Sequence, residues 1–304
     1  MATQPAHAYG GQAVIEGVMI RGREWFSLAV RRQDGSIEQH SERLNPLYNG
    51  RLRRWPLARG VLALLETLIL GIKALQMSAD MAASEQGQRK GDGEGIPGWM
   101  MASTLAFSLI FGIGLFFLLP IGVVRLLEPV LGSGLLSEVV EGAIRLAILV
   151  GYISIIGMMP DIRRVYAYHG AEHMTVHAFE AGLPLNVDNV RKFGTPHPRC
   201  GTAFLLTVVL VSVAVFIAFS LLELSWWWRI ASRVLLLPVI AAASYEVIRF
   251  SGRHQAALIG KALAAPGLWL QRLTTRQPDD MQIEVAIRAM ETAVEADGSR
   301  TIAT

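Results

Sequence analysis

The sequence has little charge and almost no cysteine. Only 17% of its 304 residues are Asp, Glu, Lys or Arg, and 52% are hydrophobic. Charged residues make up about a quarter of an average soluble domain, so this deficit indicates a membrane protein. The single cysteine, Cys200, excludes an intramolecular disulfide and does not identify the compartment.

Two further signals are missing. No basic and aromatic motif accompanies the net charge of +3, so we expect no nucleic-acid partner. Basic loops beside anionic membrane lipids account for the charge instead. The N-terminal stretch MATQPAHAYGGQA has neither the basic start nor the apolar core of a secretory signal peptide. We therefore expect no cleaved leader.

Residues 1–55 predict a small cytoplasmic β unit. Glycine-bounded, β-branched residues fill 10–22, and Asp34-Gly35 marks a hairpin turn. Glu16 interrupts the first apolar run. The alternation of strand faces puts it on the solvent face rather than in a functional site.

Residues 56–98 predict an interfacial helix and a flexible linker. Arg59, Glu66 and Lys73 recur every seven residues and form one polar seam on an otherwise apolar helix. Central charges argue against a simple span and favour a helix at the membrane surface or packed in the cytosol. Whether this helix crosses the membrane stays open at this stage. The polar stretch 84–98 is typical of a linker.

Four apolar runs are long enough to cross a bilayer. They are residues 99–124, 142–159, 203–222 and 230–248. Lys and Arg concentrate in loop 161–200 and near both termini, and they are sparse in loops 125–141 and 223–229. The positive-inside rule then places loop 161–200 and both termini in the cytoplasm.

The expected fold is mainly α, a polytopic protein of the bacterial inner membrane with about four transmembrane helices. Its membrane domain is 99–250, with the histidine-rich cytoplasmic loop 161–200. Residues 251–304 predict an interfacial helix and then a soluble amphipathic helix, which Asp279 or Asp280 caps.

Histidines concentrate on one predicted helix, which starts at Pro160 and ends before Gly182. At about 100° per residue, four potential metal ligands share one narrow stripe of this helix. They are His169, His173, His177 and Glu180. Stripe neighbours are about 5–6 Å apart at Cβ, so two can bind one ion. The stripe extends over roughly 16 Å, which is too long for all four to bind the same ion.

Three residues of the same helix spell a known motif. His169, Glu172 and His173 form H-x-x-E-H, in which two histidines hold zinc and the glutamate is the general base. Adjacent imidazoles converge on one ion, and the carboxylate takes a proton from water. Further candidate ligands, for the same ion or a second one, are His177, Glu180, His197, Cys200 and Glu246.

Each of these interpretations has a plainer alternative. The histidine stripe is otherwise a solvated polar helix face, and Glu246 otherwise pairs with Arg249 one turn later. Cys200 is a metal ligand, a free thiol or a nucleophile. In the last case the helix that starts after it would lower the thiol pKa, and His197 or His169 would act as base.

Five stretches together resemble one known family, the YqhQ-like bacterial membrane proteins, a domain of unknown function labelled a predicted metal-dependent enzyme. They are GGQAVIEGVMIRG (10–22), YHGAEHMTVHAFEAG (168–182), NVRKFGTPHPRCGTAFLL (189–206), SYEVIRF (244–250) and QPDDMQIEVAI (277–287). The resemblance implies that nine residues belong to shared motifs: Glu16, His169, Glu172, His173, Glu180, His197, Arg199, Cys200 and Glu246. It implies no substrate.

We therefore expect a divalent metal ion, with Zn²⁺ favoured, at the cytoplasmic face. The first hypothesis is metal-assisted hydrolysis of a membrane-proximal lipid or peptide. The second is a non-enzymatic membrane scaffold with a structural metal. The third, metal-ion transport or sensing, ranks last because Arg145, Arg233 and Glu246 fall near the ends of the predicted spans.

Overall fold

The computed structural model describes residues 9–45, 55, 58–83, 98–132, 134–222, 225–254 and 257–298. Most of the predicted linker, residues 84–97, lies outside the described residues.

The N-terminal unit is an antiparallel sheet with strand order β1-β2-β3-β4. Its strands are β1 (Gly10–Val14), β2 (Gly17–Arg21), β3 (Trp25–Arg31) and β4 (Ile37–Arg43). The hairpin predicted at Asp34-Gly35 is confirmed, and Gly35 has the positive φ of 84° that favours glycine in such a turn.

The prediction for Glu16 is wrong. The apolar run breaks into two strands, and Glu16 lies in the tight turn between them with φ 52°. Its carboxylate forms an ion pair with Arg164 and accepts a hydrogen bond from the Tyr168 hydroxyl at 3.2 Å. Glu16 therefore joins the sheet to the histidine helix.

The helices follow in chain order. They are α1 (Ala58–Ala83), α2 (Gly98–Ile113), α3 (Leu119–Leu131), α4 (Leu135–Ile156), α5 (Pro160–Glu180), α6 (Val187–Val190), α7 (Thr202–Ser220), α8 (Trp226–Leu235), α9 (Leu237–Arg253), α10 (Leu258–Thr274) and α11 (Asp280–Gly298). A π-helical turn, Gly114–Leu118, joins α2 to α3.

Helices cover both faces of the sheet. Val18, Ile20 and Ala29 point to one face and pack against α5 and α11. Phe26 and Leu28, two residues apart on β3, point to the other face and pack against α1. The sheet thus separates two buried cores, one shared with α5 and α11 and the other with α1, and the first fixes the position of α5.

All three residues of the polar seam of α1 form ion pairs. Each seam residue meets an opposite charge from another element. The pairs are Arg59 with Glu246 of α9, Glu66 with Arg21 of β2, and Lys73 with Glu42 of β4. This arrangement agrees with a helix packed on the sheet. It also gives Glu246 a partner, Arg59, that the sequence analysis did not predict.

Four helical stretches among the described residues are long and apolar enough to cross a membrane. They are Arg59–Ala83, Ala102–Leu131, Leu135–Ile156 and Thr202–Ser220. The predicted span 230–248 is instead a bent pair, Trp227–Leu235 and Leu237–Arg253, which meet at 47°. Pro238 lies at the start of the second helix, where it removes a backbone donor and so favours the break.

A buried charge network joins α4, α7, α8 and the π-helical turn. Glu141 accepts hydrogen bonds from Arg145 at 2.6 Å and from Arg233 at 2.8 and 3.0 Å. Arg233 also donates to Glu138 at 2.9 Å. Arg145 donates to the Phe116 carbonyl and to the Ser212 hydroxyl of α7, both at 2.9 Å.

Both arginine side chains are almost inaccessible to solvent. The expectation that charges lie near the span ends is therefore wrong for Arg145. Because α4 begins at Leu135, this residue lies halfway along the helix.

The C-terminal helices pack more closely than predicted. Helix α10 crosses α7 at Gly267, where an added Cβ would lie 2.5 Å from the Ala203 Cβ, so α10 is part of the bundle. Of the two aspartates predicted to cap α11, Asp279 is the one that does so. Its side chain accepts a hydrogen bond from the Gln282 backbone N–H, and the Gln282 side chain accepts one from the Asp279 backbone N–H.

Candidate metal centre

Helix α5 carries the candidate site, and its predicted limits are confirmed. Pro160 occupies the first turn, where its missing N–H costs nothing. Gly182, with φ 69°, lies just past the end. The middle of the helix is buried against the sheet and α11. Gly170 permits a close approach, because an added Cβ would lie 2.1 Å from the Arg276 carbonyl oxygen.

The predicted ligands fall into two groups rather than one stripe. The first group is His169, His173 and Cys200, and the second is His177, Glu180 and His197. Within each group, one ligand atom per residue lies within 4.8 Å of the others. The loop between α6 and α7 therefore folds back over α5 and adds one residue to each group.

Backbone carbonyls orient both imidazoles of the first group. His169 Nδ1 lies 2.8 Å from the Thr274 carbonyl oxygen, and His173 Nδ1 lies 2.5 Å from that of Thr195. A carbonyl only accepts, so each Nδ1 carries the proton and each Nε2 presents a lone pair. Metal-binding histidines typically use this outer-shell contact. His169 Nε2 lies 3.1 Å from Cys200 Sγ.

Burial keeps His173 neutral. Burial, with a smaller contribution from neighbouring His169, lowers the pKa of His173 to about 2. A buried imidazolium would lose its hydration without gaining a counter-ion. His173 is therefore uncharged near neutral pH, the form in which imidazole binds a metal.

Cys200 lies where a ligand is expected but not where an activated nucleophile is expected. Its thiol is buried, shares a hydrogen bond with the Thr202 hydroxyl at 3.1 Å and accepts one from the Thr202 backbone N–H at 3.3 Å. Burial nevertheless raises the pKa of the Cys200 thiol. The predicted lowering of the Cys200 pKa is wrong in direction, because desolvation of the thiolate outweighs its stabilisation by the helix N-terminus. A cation beside the sulfur would reverse that balance.

Glu172 lies beside the first group without belonging to it. Its carboxylate accepts a hydrogen bond from the Gly11 backbone N–H at 3.0 Å. Burial raises the pKa of Glu172 to about 7, against an opposing effect of His169. The sheet thus holds a desolvated carboxyl group at the edge of the His169 and Cys200 pair, suited to accepting a proton.

The second group is already engaged by the protein. Arg199 forms an ion pair with Glu180. The Arg199 backbone N–H donates to His197 Nδ1 at 3.3 Å, which leaves the proton of neutral His197 on Nε2, 3.7 Å from Glu180. His177 Nε2 donates to the Pro196 carbonyl at 2.9 Å. This group is therefore less ready for a metal than the first.

The end of α10 supplies contacts that the sequence analysis missed. Gln271 accepts a hydrogen bond from the His197 backbone at 2.7 Å and returns one to its carbonyl at 2.9 Å. Thr274 orients His169, and Thr275 donates to the Thr195 hydroxyl at 3.0 Å. The sequence signal that could have predicted these contacts is the group of polar residues at the end of this apolar helix.

Two predicted residues lie away from these groups. Glu246 is held by Arg59 through two hydrogen bonds and joins neither ligand group among the described residues. It forms an ion pair that joins α9 to α1. Glu16 contacts α5 at Arg164 and Tyr168, on the sheet side.

Comparisons with known proteins show the family. A family model described as "Protein of unknown function (DUF1385)" matches residues 55–296. The chain is also 35% identical over 295 residues to "Uncharacterized protein YqhQ" of Bacillus subtilis (strain 168), which covers 93% of this chain and 91% of that protein. No solved structure matches.

Proposed function

The chain belongs to the DUF1385 family of proteins of unknown function, and we propose that it is a membrane-embedded, zinc-dependent hydrolase. Its metal ligands are His169, His173 and Cys200, and Glu172 is its general base. The substrate is proximal to the membrane. One observation carries this proposal. Backbone carbonyls bind the Nδ1 atoms of the buried His169 and His173, so that both Nε2 atoms face the buried thiol of Cys200.

The ligand set fits zinc and a catalytic role. Thiolate and imidazole are the ligands that Zn²⁺ prefers, and two histidines with one cysteine leave a fourth position open. Zinc bound by these residues would supply an activated water and Lewis-acid polarisation of a carbonyl or phosphoryl group. In the chain itself, Glu172 accepts the proton of the attacking water. Thr274 and Thr195 hold the two imidazoles in place through their carbonyl groups.

Packing of the sheet supports a four-span topology. The sheet precedes every candidate span and contacts both α5 and α11, so all three lie on one side of the membrane. This requires an even number of crossings between the sheet and α5, and again between α5 and α11. The α2–α3 unit and α4 satisfy the first condition. Helix α7 and the α8–α9 pair satisfy the second.

The same parity keeps α1 from crossing. A crossing by α1 would put α5 on the side opposite the sheet that covers it. The ion pairs of Glu66 and Lys73 with the sheet support this interpretation. We therefore propose that both termini and α5 are in the cytoplasm, as the Lys and Arg distribution favours.

A structural metal is the second candidate function. All three ligand side chains are buried, and they join α5 to the start of α7. A zinc ion that only fastens these elements would have four protein ligands, with His197 the nearest further imidazole, its ring centroid 5.6 Å from that of His173. A scaffold of this kind would have no use for Glu172.

X-ray absorption at the zinc edge, combined with hydrolysis assays, tests the proposal. The zinc-loaded protein would be assayed in nanodiscs with p-nitrophenyl acetate and bis(p-nitrophenyl) phosphate. We expect two nitrogen ligands, one sulfur ligand and one exchangeable oxygen ligand. We also expect Glu172→Gln to keep its zinc and lose roughly 10²–10⁴-fold of the activity.

Asp188→Asn, on the exposed helix α6, is the matched control and should change neither readout. Four protein ligands together with unchanged hydrolysis in Glu172→Gln would overturn the proposal and favour the scaffold. So would the absence of hydrolysis of either ester by the zinc-loaded protein.

A further inference from the structure

The second ligand group lies at the end of α5, where His177 and Glu180 meet His197 of the following loop. The ring centroids of His177 and His197 are 4.5 Å apart, and one ligand atom from each of the three residues lies within 4.8 Å of the other two. Burial lowers the pKa of His177 and lowers that of His197 to about 4, so both imidazoles are neutral near neutral pH. Two neutral imidazoles with one carboxylate form a donor set that binds Zn²⁺ and other divalent transition metals.

A cation of the protein itself lies at this group. The Arg199 guanidinium forms an ion pair with Glu180, whose Oε1 is inaccessible to solvent. Among the residues that the structure describes, this Oε1 accepts no hydrogen bond of ordinary geometry, so a positive charge alone compensates it. The Arg199 side chain is 39% exposed. Because part-exposed ion pairs contribute little to stability, an incoming metal ion can replace this guanidinium, which then turns into solvent.

Metal binding here requires a rearrangement that the first group does not need. His177 donates from Nε2 to the Pro196 carbonyl at 2.9 Å and therefore carries its lone pair on Nδ1. His197 accepts at Nδ1 from the Arg199 backbone N–H at 3.3 Å, and its protonated Nε2 lies 3.7 Å from Glu180. That proton must move to Nδ1 before Nε2 can bind a metal, which breaks the long contact with Arg199. A metal is therefore held more weakly here than in the first group.

We propose that His177, Glu180 and His197 form a second, weaker site for a divalent transition-metal ion, and that the Arg199 guanidinium occupies this site until the metal displaces it. The inference goes beyond the proposed function, since it uses no residue of the first ligand group. The bound ion joins the end of α5 to the loop before α7. Together with the first site, the protein then holds one zinc ion when zinc is scarce and two when zinc is abundant.

Equilibrium dialysis against stepped concentrations of free zinc tests this proposal. The full-length protein, in detergent and without a polyhistidine tag, would be dialysed to equilibrium, and its bound zinc would be counted by plasma mass spectrometry. We expect two binding steps, the second with a Kd at least about tenfold higher than the first. Glu180→Gln should abolish the second step and keep the first, because it removes the negatively charged ligand of this group alone.

Arg199→Gln distinguishes displacement from simple loss of a site. Without the guanidinium, zinc no longer has to break an ion pair, so the second step should become about fivefold tighter, the fold-change that a part-exposed ion pair supplies. A misfolded variant would lose affinity rather than gain it. Lys192→Gln is the matched control, because it removes a positive charge from an exposed position just after α6. It should change the second Kd by less than about twofold.

Three results would overturn the inference. They are a second step missing from both the wild type and Arg199→Gln, a second step that persists in Glu180→Gln as adventitious surface binding would, and a gain in Arg199→Gln no larger than that in Lys192→Gln. Cys200→Ala separates this test from that of the hydrolase, since it should lose the tight step and keep the weak one. If the wild type shows only a weak step that needs Glu180, the hydrolase proposal fails and the second site stands.

Discussion

Removing the Glu141 carboxylate is expected to destabilise the helical bundle more than any surface substitution. Glu141 receives three hydrogen bonds, one from Arg145 and two from Arg233. Both guanidinium groups are buried, at 1% exposure each. In Glu141→Met, Glu138 is left as the only buried carboxylate for two arginines. Breaking a buried pair by removing one partner costs about 3–5 kcal/mol, because the other charge remains desolvated.

A double substitution separates the charge effect from packing. Glu141→Met/Arg145→Met restores the balance, since Glu138 and Arg233 stay paired at 2.9 Å. It also leaves the Phe116 carbonyl without its Arg145 donor, at a cost of roughly 1–3 kcal/mol. We therefore expect a coupling of roughly 1–3 kcal/mol between the two positions and only partial recovery.

Reversible unfolding in mixed detergent micelles, followed by circular dichroism, would measure these differences. Glu295→Met, on the exposed face of α11, controls for the loss of a glutamate and should change stability by less than about 0.5 kcal/mol. If Glu141→Met costs less than about 1 kcal/mol, or if the double mutant equals the sum of the singles, the charges are not functioning as a buried, mutually dependent network.

Four further predictions concern the sheet and the helices α5 and α11. Gly170→Ala should abolish zinc binding in a plasma mass spectrometry assay, because its Cβ would displace the Arg276 carbonyl and the end of α10; the exposed Ala181→Gly is its control. Thermal melting of the metal-free protein should show stability falling as the pH drops below about 6.5, since buried His173 and His197 stay neutral while the unfolded chain takes up both protons. Glu172→Gln should steepen that loss, because the pKa of Glu172, raised to about 7 by burial, gives an opposing gain as the pH falls toward 4.5; a variant profile no steeper than that of the wild type would contradict this sign. Asp279→Ala should cost about 1 kcal/mol in urea unfolding through loss of the α11 cap, whereas an unchanged midpoint would mean that the cap is not needed.

Local signals predicted much of the sheet, α5 and α11. The Asp34-Gly35 turn, the limits of α5 at Pro160 and Gly182, and the cap at Asp279 all depend on interactions within a few residues. The histidine spacing on α5 is local as well, so its grouping on one buried face was predictable. Composition alone indicated the apolar helices.

Contacts between distant segments were not predictable in the same way. Glu246 meets Arg59, which is 187 residues away, although Arg249 was the nearer candidate. Glu16 was assigned to a strand because its positive φ has no glycine or asparagine signal. The division of ligands into two groups depends on where the loop before α7 folds, which no helical periodicity encodes.

The buried charges illustrate a related limit. Arg145 was predicted to lie near a span end because the apolar run was taken to begin at residue 142. Helix α4 in fact begins at Leu135 and carries Glu138 and Glu141 into the bundle. Their charge is tolerated because Arg233 arrives from α8. Only the packing of the helices shows that Arg233 neutralises these buried carboxylates.

The most direct test of the account is the metal content of the purified protein by plasma mass spectrometry. The wild type would be compared with His169→Ala/His173→Ala, with Cys200→Ala and with the control His40→Ala on the exposed strand β4. We expect close to one zinc per chain in the wild type and in the control, and no zinc in the other two variants. A wild type that holds no metal even after reloading with zinc, or a histidine double mutant that keeps it, would contradict the central claim.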